Sequence, residues 1–433
     1  MNTTEKLYEH FLQNRTISTD TRNITDGCIF FALKGDTFNA NAFALDALEK
    51  GASFAVIDEE KYAITESCIL VDDVLSTLQD LARHHRKQLN IPVIGLTGSN
   101  GKTTSKELIK AVLAEQFKTF ATFGNLNNHI GVPLSILSIT PDIEIAVIEM
   151  GANHQKEIEL LCTIAQPTHG IITNVGMAHL EGFGGFEGVK KGKAELYAYL
   201  KNNNGYTFVN RDNVNLMEMA DTFRLNKIIY YGTGIGNTIK GKLLTSDPFI
   251  EVNWTNQEVE TSLQTNLTGS YNFENILAAI CIGDFFDMPA EKINNGLSNY
   301  QPKNNRSQLT KTERNTVICD FYNANPSSMM VAITNLSTLT STNKIAILGD
   351  MFELGPEAAQ QHYIIAKQAA ESNFDKLILI GTNFFEFKDE FDAIFFKQPA
   401  DAADFLQQNP IENNLVLLKG SRGMKLENLM QYL

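Results

Sequence analysis

Val93-Ile94-Gly95-Leu96-Thr97-Gly98-Ser99-Asn100-Gly101-Lys102-Thr103-Thr104 decides the reading of this 433-residue chain. An apolar run stops at a Gly-rich turn, and the turn runs into Lys-Thr-Thr at the head of a helical stretch. That is the layout of a nucleotide phosphate site. Glycines let backbone N–H groups close on the phosphates, Lys102 supplies a point charge, and the Thr103 hydroxyl can hold Mg²⁺. The helix N-terminus adds its dipole. The common pattern wants glycine at position 96, where Leu96 stands, with Gly95 one place early. Strand, loop, lysine, hydroxyls and helix still come in the right order, which predicts an enzyme that uses ATP.

The length exceeds one ordinary core, so two or three domains are expected. A hydrophobic content of 43% and a charged content of 20% predict a soluble globular protein. The net charge of −14 argues against nucleic-acid or membrane-surface partners, which need a basic footprint. No stretch approaches a membrane span. Met1-Asn2-Thr3-Thr4-Glu5-Lys6 lacks a basic then apolar leader, which predicts a cytoplasmic location. The five cysteines are scattered and form no C-x-x-C pair, so they read as small core residues in a reducing compartment. Nothing demands more than a monomer.

Apolar periodicity predicts three units. In residues 1–89, short strands (29–33, 55–57, 69–71) mix with helices over 43–50 and 74–89. Asn90-Ile91-Pro92 reads as a linker, because Pro92 disfavours helix in the residue before it. Residues 90–302 alternate strands at 93–96, 145–149, 170–173 and 207–209 with helices at 102–114, 155–165 and 189–200. That pattern implies a parallel sheet covered on both faces. Residues 238–267 read as an antiparallel patch, and 272–286 as an apolar helix. Residues 303–433 repeat the alternation, with strands at 317–319, 345–348, 377–380 and 416–418 and helices at 327–339, 356–370 and 401–407. A second, doubly wound α/β domain is expected there.

Several loops follow strand ends. Glu149 closes the strand 145–149 and is placed to coordinate a nucleotide's Mg²⁺, although a solvated chain-end carboxylate would look the same. His179 lies in the Gly-rich run 173–185, where a metal ligand, a substrate contact and an ordinary packed histidine all remain open. Lys190, Lys191 and Lys193 open the helix 189–200, against its dipole. They read as a solvated face or as charge gathered near phosphates. Asn275 offers a donor and an acceptor that suit an adenine edge, or an N-terminal bond to backbone. Arg306 sits where the second and third units meet and can reach a γ-phosphate. The runs 320–329, 349–355 and 419–422 put polar groups at three strand ends of the third unit, the edge where open α/β sheets bind ligands.

Taken together, Thr97-Gly-Ser-Asn-Gly-Lys-Thr-Thr104, Glu149-Met-Gly-Ala-Asn-His154, Asp320-Phe-Tyr-Asn-Ala-Asn-Pro-Ser-Ser-Met329 and Gly349-Asp-Met-Phe-Glu-Leu-Gly355 resemble the Mur ligases. These are ATP-dependent amide-forming enzymes of peptidoglycan precursor synthesis. The resemblance covers essentially the whole chain. It implies an α/β, three-domain architecture with a P-loop ATPase centre and a doubly wound C-terminal α/β domain. The implied substrates are ATP, a UDP-N-acetylmuramoyl tripeptide and D-alanyl-D-alanine, with two Mg²⁺ ions.

The resemblance also implies residue roles. Ser18, Asp20, Arg22 and Lys34 would contact the UDP end. Asn125, Asn127 and Asn128 would form a substrate-side loop. Lys102 would bind the β- and γ-phosphates. Thr103 and Glu149 would hold one Mg²⁺, and His179 with Lys193 the second, Lys193 as a carbamate formed with CO₂. Asp320 and Asn325 would serve the nucleotide, and Tyr322, Asn323 and Asp350 the incoming dipeptide. On the residues alone, Lys193 reads as a surface lysine. Folylpolyglutamate synthase shares this ATPase core. Its loop typically reads Gly-Lys-Gly-Ser where this chain has Gly101-Lys-Thr-Thr104, and it lacks a separate N-terminal domain. A nucleotide-switched binding protein is the alternative from another class.

Overall fold

A computed structural model describes residues 3–341 and 343–433 as three large sheets with their helices, and a two-stranded antiparallel ribbon of Lys34–Gly35 and Phe38–Asn39. Met1 and Asn2, part of the reading that argued against a leader, lie outside the described residues. Among those described, no helix is long and apolar enough to cross a membrane.

The first sheet orders four parallel strands as Ile17–Ser18, Ile29–Phe31, Phe54–Ile57 and Cys68–Leu70. Period-two alternation decides its faces. Ile29, Phe31 and Val56 pack under the helices Thr3–Asn14 and Val74–Gln88, while Phe30, Ala55 and Ile57 face Ala44–Glu49. Asp73 starts Val74–Gln88 by accepting a hydrogen bond from Ser76 N at 2.6 Å, an N-cap. That helix also packs on Gly131–Leu137 and Glu157–Ala165 of the second sheet's cover. His85 bonds the Ile139 carbonyl at 2.9 Å and Arg86 donates to Ala165 O at 2.9 Å, so the first two units share one core.

The second sheet has nine strands. From one edge they are Glu260–Gln264, Glu251–Thr255, Ile239–Thr245, Ile228–Gly232, Tyr206–Asn210, His169–Ile172, Val93–Thr97, Ile145–Glu149 and Thr119–Ala121. The expected antiparallel patch is present, but it extends this same sheet. Ile94 and Leu96 face Lys102–Leu113 and Phe273–Phe285, and Val93 faces the opposite cover of Glu157–Ala165 and Phe186–Asn202. Strand order reverses at Val93–Thr97, because the chain goes first to the edge strand Thr119–Ala121, comes back to fill the gap with Ile145–Glu149, and then crosses to His169–Ile172 on the other side. A crevice opens beyond the C-terminal end of such a strand.

The third sheet orders Gln308–Lys311, Thr316–Asp320, Leu415–Lys419, Lys344–Gly349, Lys376–Ile380 and Ile394–Phe396, parallel except for the first. Pro326–Thr338 and Ala358–Glu371 cover one face, and Pro399–Gln408 with Leu426–Tyr432 the other, so the domain is doubly wound. All five cysteines are free thiols.

Three buried histidines are held neutral. Burial is the main force lowering the pKa of His85, of His362 and of His169, the last down to about 4. His169 stacks on Tyr206 at 5.3 Å between ring centroids, and His362 Nε2 accepts from Met351 N at 3.0 Å. An unfolded imidazole titrates near 6.5, so the unfolded chain takes up protons first as the pH falls. The stability that His169 contributes is therefore fully present above about pH 6.5 and is lost between there and about pH 4, with a slope approaching about 1.4 kcal/mol per pH unit, and His85 and His362 act in the same direction. Urea denaturation at pH 7.5 and pH 5 checks this. His169→Phe should flatten the slope by one proton, and an unchanged slope would remove His169 from the account.

Candidate active site

The phosphate-loop turn is built by two glycines. Gly98 has φ +148°, and a Cβ there would meet Thr173 Oγ1 at 2.0 Å. Gly101 has φ +75° at the N-cap of Lys102–Leu113, and a Cβ would meet Asn275 Oδ1 at 2.7 Å. These are the glycines the turn requires. Gly95 lies inside the strand against Met150 and Pro167, and Leu96 is core, which explains the displaced glycine of the pattern.

The turn is sewn to the neighbouring strand. Asn100 N donates to Asn174 Oδ1 at 2.9 Å, and Ser99 Oγ both accepts from Gly176 N and donates to Gly176 O. Lys102 folds back and donates to Gly98 O at 2.6 Å and Ser99 O at 3.2 Å. Burial, with Arg306 adding to it and Glu149 opposing it, pushes the Lys102 ammonium down to about 8. Its cation is thus desolvated and partnered only by carbonyls, poised for a stronger anion.

Glu149 ends the strand paired with the loop strand, opposite Leu96. Its Oε1 accepts from Asn127 Nδ2 at 2.9 Å and from Thr103 Oγ1 at 3.3 Å. Its Oε2 is buried and accepts no hydrogen bond from a described group. One carboxylate and one hydroxyl beside a phosphate loop suit a hard cation. Among the described residues no three His, Cys, Asp or Glu side chains gather as a metal cluster.

A cleft of about 790 Å³ runs from this loop to the third domain. Of the residues singled out in the sequence, Ser99 through Thr104, Asn125, Asn127, Asn128, Glu149, His179, Asn275, Arg306, Asp320, Tyr322, Asn323 and Asn325 line it. Thr97 does not; its hydroxyl is buried without a partner in the strand. The third domain is docked directly on the loop. Asn100 Nδ2 donates to Ser327 Oγ at 2.8 Å, and Asn325 Nδ2 donates to Asn100 Oδ1 at 2.7 Å. His179 Nδ1 meets Glu353 Oε2 across the same boundary. Arg306 lies over the Tyr322 ring at 4.0 Å with its Nε buried and unpartnered. Asp320 is paired with Lys419 at 2.6 Å. Asn275 accepts from Ser105 Oγ at 2.9 Å and donates to Asn272 Oδ1 at 2.9 Å, so both its polar ends are engaged inside the fold.

Three expectations change. The lysine-bearing helix runs Phe186–Asn202, so Lys190, Lys191 and Lys193 lie past its first turn and do not open it. Lys193 is buried, not a surface lysine; its Nζ donates weakly to Ala152 O at 3.4 Å and lies 5.1 Å from the centre of the Phe183 ring. Burial first, then the Lys102 charge, lowers its pKa well below the usual lysine value. Asp350 stays out of the cleft, because its carboxylate is buried and accepts from Asn383 N, Asn383 Nδ2 and Phe384 N. Ser18, Asp20, Arg22 and Lys34 sit apart in the first domain. Arg22 forks onto Asp20, Ser18 Oγ donates to Asp20 O at 2.9 Å, and Lys34 pairs with Asp58 and Glu59. Asn174, Glu353 and Lys419 lie in the strand-end runs 173–185, 349–355 and 419–422 that the sequence singles out, but the sequence gives none of the three a role of its own.

A phosphate loop at a topological switch, backed by a carboxylate and closed by a second α/β domain, defines an enzyme that couples a nucleoside triphosphate to a second substrate. The sequence matches the Mur ligase middle domain over residues 96–283 and the Mur ligase, glutamate ligase domain over 305–422. A UDP-N-acetylmuramoyl-tripeptide–D-alanyl-D-alanine ligase of Bacillus subtilis is 33% identical over 96% of this chain and 92% of its own length. A crystal structure of MurF from Acinetobacter baumannii superposes with TM-score 0.88 at 30% identity, covering 96% of this chain and 92% of that one. The MurF ligase of Thermotoga maritima in complex with ADP gives 0.86 at 25% identity, covering 97% of each. This chain belongs to the Mur ligase family.

Asn325 has two jobs that can be separated. Its Oδ1 caps Pro326–Thr338 by accepting from Ser328 N at 2.9 Å, and its Nδ2 holds the phosphate loop. Asn325→Asp keeps the cap and loses the donor, whereas Asn325→Ala loses both, with about 1 kcal/mol for the cap. Calorimetry should find ADP binding weakened several-fold in both variants, with Asn325→Asp melting close to the parent. Unchanged ADP affinity in Asn325→Asp would leave Asn325 as a cap alone.

Proposed function

We propose that this chain is the cytoplasmic, monomeric ATP-dependent ligase that joins D-alanyl-D-alanine to UDP-N-acetylmuramoyl-tripeptide. The single observation that carries the reading is the cleft itself. It brings a phosphate loop, a magnesium-type carboxylate and the polar strand ends of a second α/β domain to one place within one chain. The relatives' names supply the particular substrates. The Gly101-Lys-Thr-Thr104 loop and a separate first domain favour this reading over folylpolyglutamate synthase.

The terminal carboxylate of the tripeptide attacks the ATP γ-phosphorus, an acyl phosphate forms and ADP leaves. The dipeptide amine attacks that carbonyl carbon, a tetrahedral intermediate loses phosphate, and the amide remains. Lys102 leaves its loop carbonyls for the β- and γ-phosphates. Arg306, free at Nε and steadied on Tyr322, reaches the transferring group from the third domain. Thr103 and Glu149 would hold Mg²⁺, which supplies charge neutralisation at the phosphates when bound. Asn125, Asn127 and Asn128 orient the tripeptide side, and Tyr322 and Asn323 the dipeptide side. Asn275, Asp320 and Asn325 shape the nucleotide pocket. Ser18, Asp20, Arg22 and Lys34 bind the UDP end from the first domain. Closure holds the two substrates on different domains in one geometry and excludes water from the acyl phosphate.

His179 and Lys193 belong to a second Mg²⁺ site in this reading. A buried lysine without a carboxylate partner is costly as a cation and is readily a free amine, the form that captures CO₂. Its carbamate is an anion suited to a hard cation.

Phosphate release from ATP should require the tripeptide nucleotide and the dipeptide together. Release with either one alone would instead support a nucleotide-switched binding protein. Lys102→Ala should lose nearly all turnover while melting normally, since the side chain heads the helix Lys102–Leu113 at the cleft and bonds only the loop carbonyls. Lys193→Ala should be nearly inactive and partly restored by short carboxylic acids, and NMR with isotopically labelled CO₂ should show a carbamate in the parent only. A fully active Lys193→Ala enzyme would reject the carbamate.

A further inference from the structure

Lys106 has no part in the chemistry above, yet it is completely buried one turn beyond Lys102 on the same helix. Lysines are almost never fully buried unless paired. Its ammonium donates to Thr122 O at 2.7 Å, pairs with Glu107 Oε1 at 3.0 Å and stands 3.9 Å from Glu149 Oε2. Thr122 completes the unit, because its hydroxyl accepts from Glu149 N at 3.0 Å. Glu149 therefore has two unlike sides. Oε1 turns to Thr103 and Asn127 at the cleft, and Oε2 turns inward, without a hydrogen bond, toward the Lys106 charge.

We propose that Lys106 is a positioning residue that steadies Glu149 from behind and keeps its site from taking a divalent cation before the nucleotide arrives. The proposal rests on the reading of Glu149 as the magnesium carboxylate. A cation behind the ligand, in an interior that water and salt do not screen, opposes a second cation in front of it. One carboxylate so offset, with one hydroxyl, is a poor divalent site by itself. The phosphates of ATP add the charge that tips the balance, so metal and nucleotide enter together. Glu107 tunes the device, since it is partly exposed and shares the Lys106 charge with Glu149.

Mn²⁺ titration of the full chain at pH 8, followed by electron paramagnetic resonance of the free ion, tests this with and without ADP. Lys106→Met should tighten nucleotide-free Mn²⁺ binding at least tenfold. Glu107→Gln leaves Lys106 facing Glu149 alone and should weaken Mn²⁺ binding to the ADP complex several-fold. A purely structural lysine would lower the melting temperature and leave both affinities unmoved, and that result overturns the proposal. If Lys106→Met fails to fold, the sign of the Glu107→Gln change decides, and an unchanged or tighter affinity overturns it. Glu149→Gln should remove one Mn²⁺ site and leave the count at any site built on Lys193 unchanged. An undiminished number of Mn²⁺ sites there overturns the Glu149 assignment and the proposal with it, whereas loss of one site there with an unaltered Lys106→Met overturns the proposal alone.

Discussion

The reversal of strand order around Val93–Thr97 is the constraint on which the molecule depends. Neighbours on both sides run parallel to this strand, yet their connecting helices leave toward opposite faces, so no crossover covers its C-terminal end. The Gly98–Gly101 turn fills that opening with backbone N–H groups, and Asn174 and Gly176, in the loop after the neighbouring strand His169–Ile172, hold it in place. Glu149 reaches the same point because it ends the strand on the other flank. Position in the sheet brings these groups together, although 46 residues separate Thr103 from Glu149.

The third domain completes the site through few, polar contacts. Asn100 gives its whole side chain to Asn325 and Ser327, and His179 meets Glu353. Polar contacts of this kind separate more readily than an apolar seam, which suits a boundary that must open for substrates. The boundary between the first and second units is built differently. Val74–Gln88 packs in one hydrophobic core with both, so the first two units share an apolar seam that the third domain lacks.

Charge burial concentrates around the cleft. Lys102 and Lys106 lie on the helix that follows the phosphate loop and Lys193 on Phe186–Asn202; Lys102 and Lys193 donate to carbonyls, and Lys106 is shared between Glu107 at 3.0 Å and the more distant Glu149. Such cations are unfavourable in the free protein and become favourable with a polyanion among them. The site is organised for the charge it will receive.

Local sequence by itself determined the alternation of strands and helices, the phosphate turn and the Mur ligase resemblance, because period-two and helical patterns and glycine stereochemistry are properties of neighbouring residues. Ile145–Glu149 was legible to the residue, and Gly98 and Gly101 were readable as turn glycines. Only the tertiary structure decided which charged side chains are buried and where they point. Lys193 reads as a surface lysine until Phe183 and Ala152 arrive from distant segments to enclose it, and nothing in the sequence singles out Lys106, which Thr122 and Glu149 meet only in the fold. Asp350 reads as a strand-end ligand until the 381–384 turn claims its oxygens. Burial and electrostatic partnership are sums over the folded surroundings, and no window of neighbouring residues contains them.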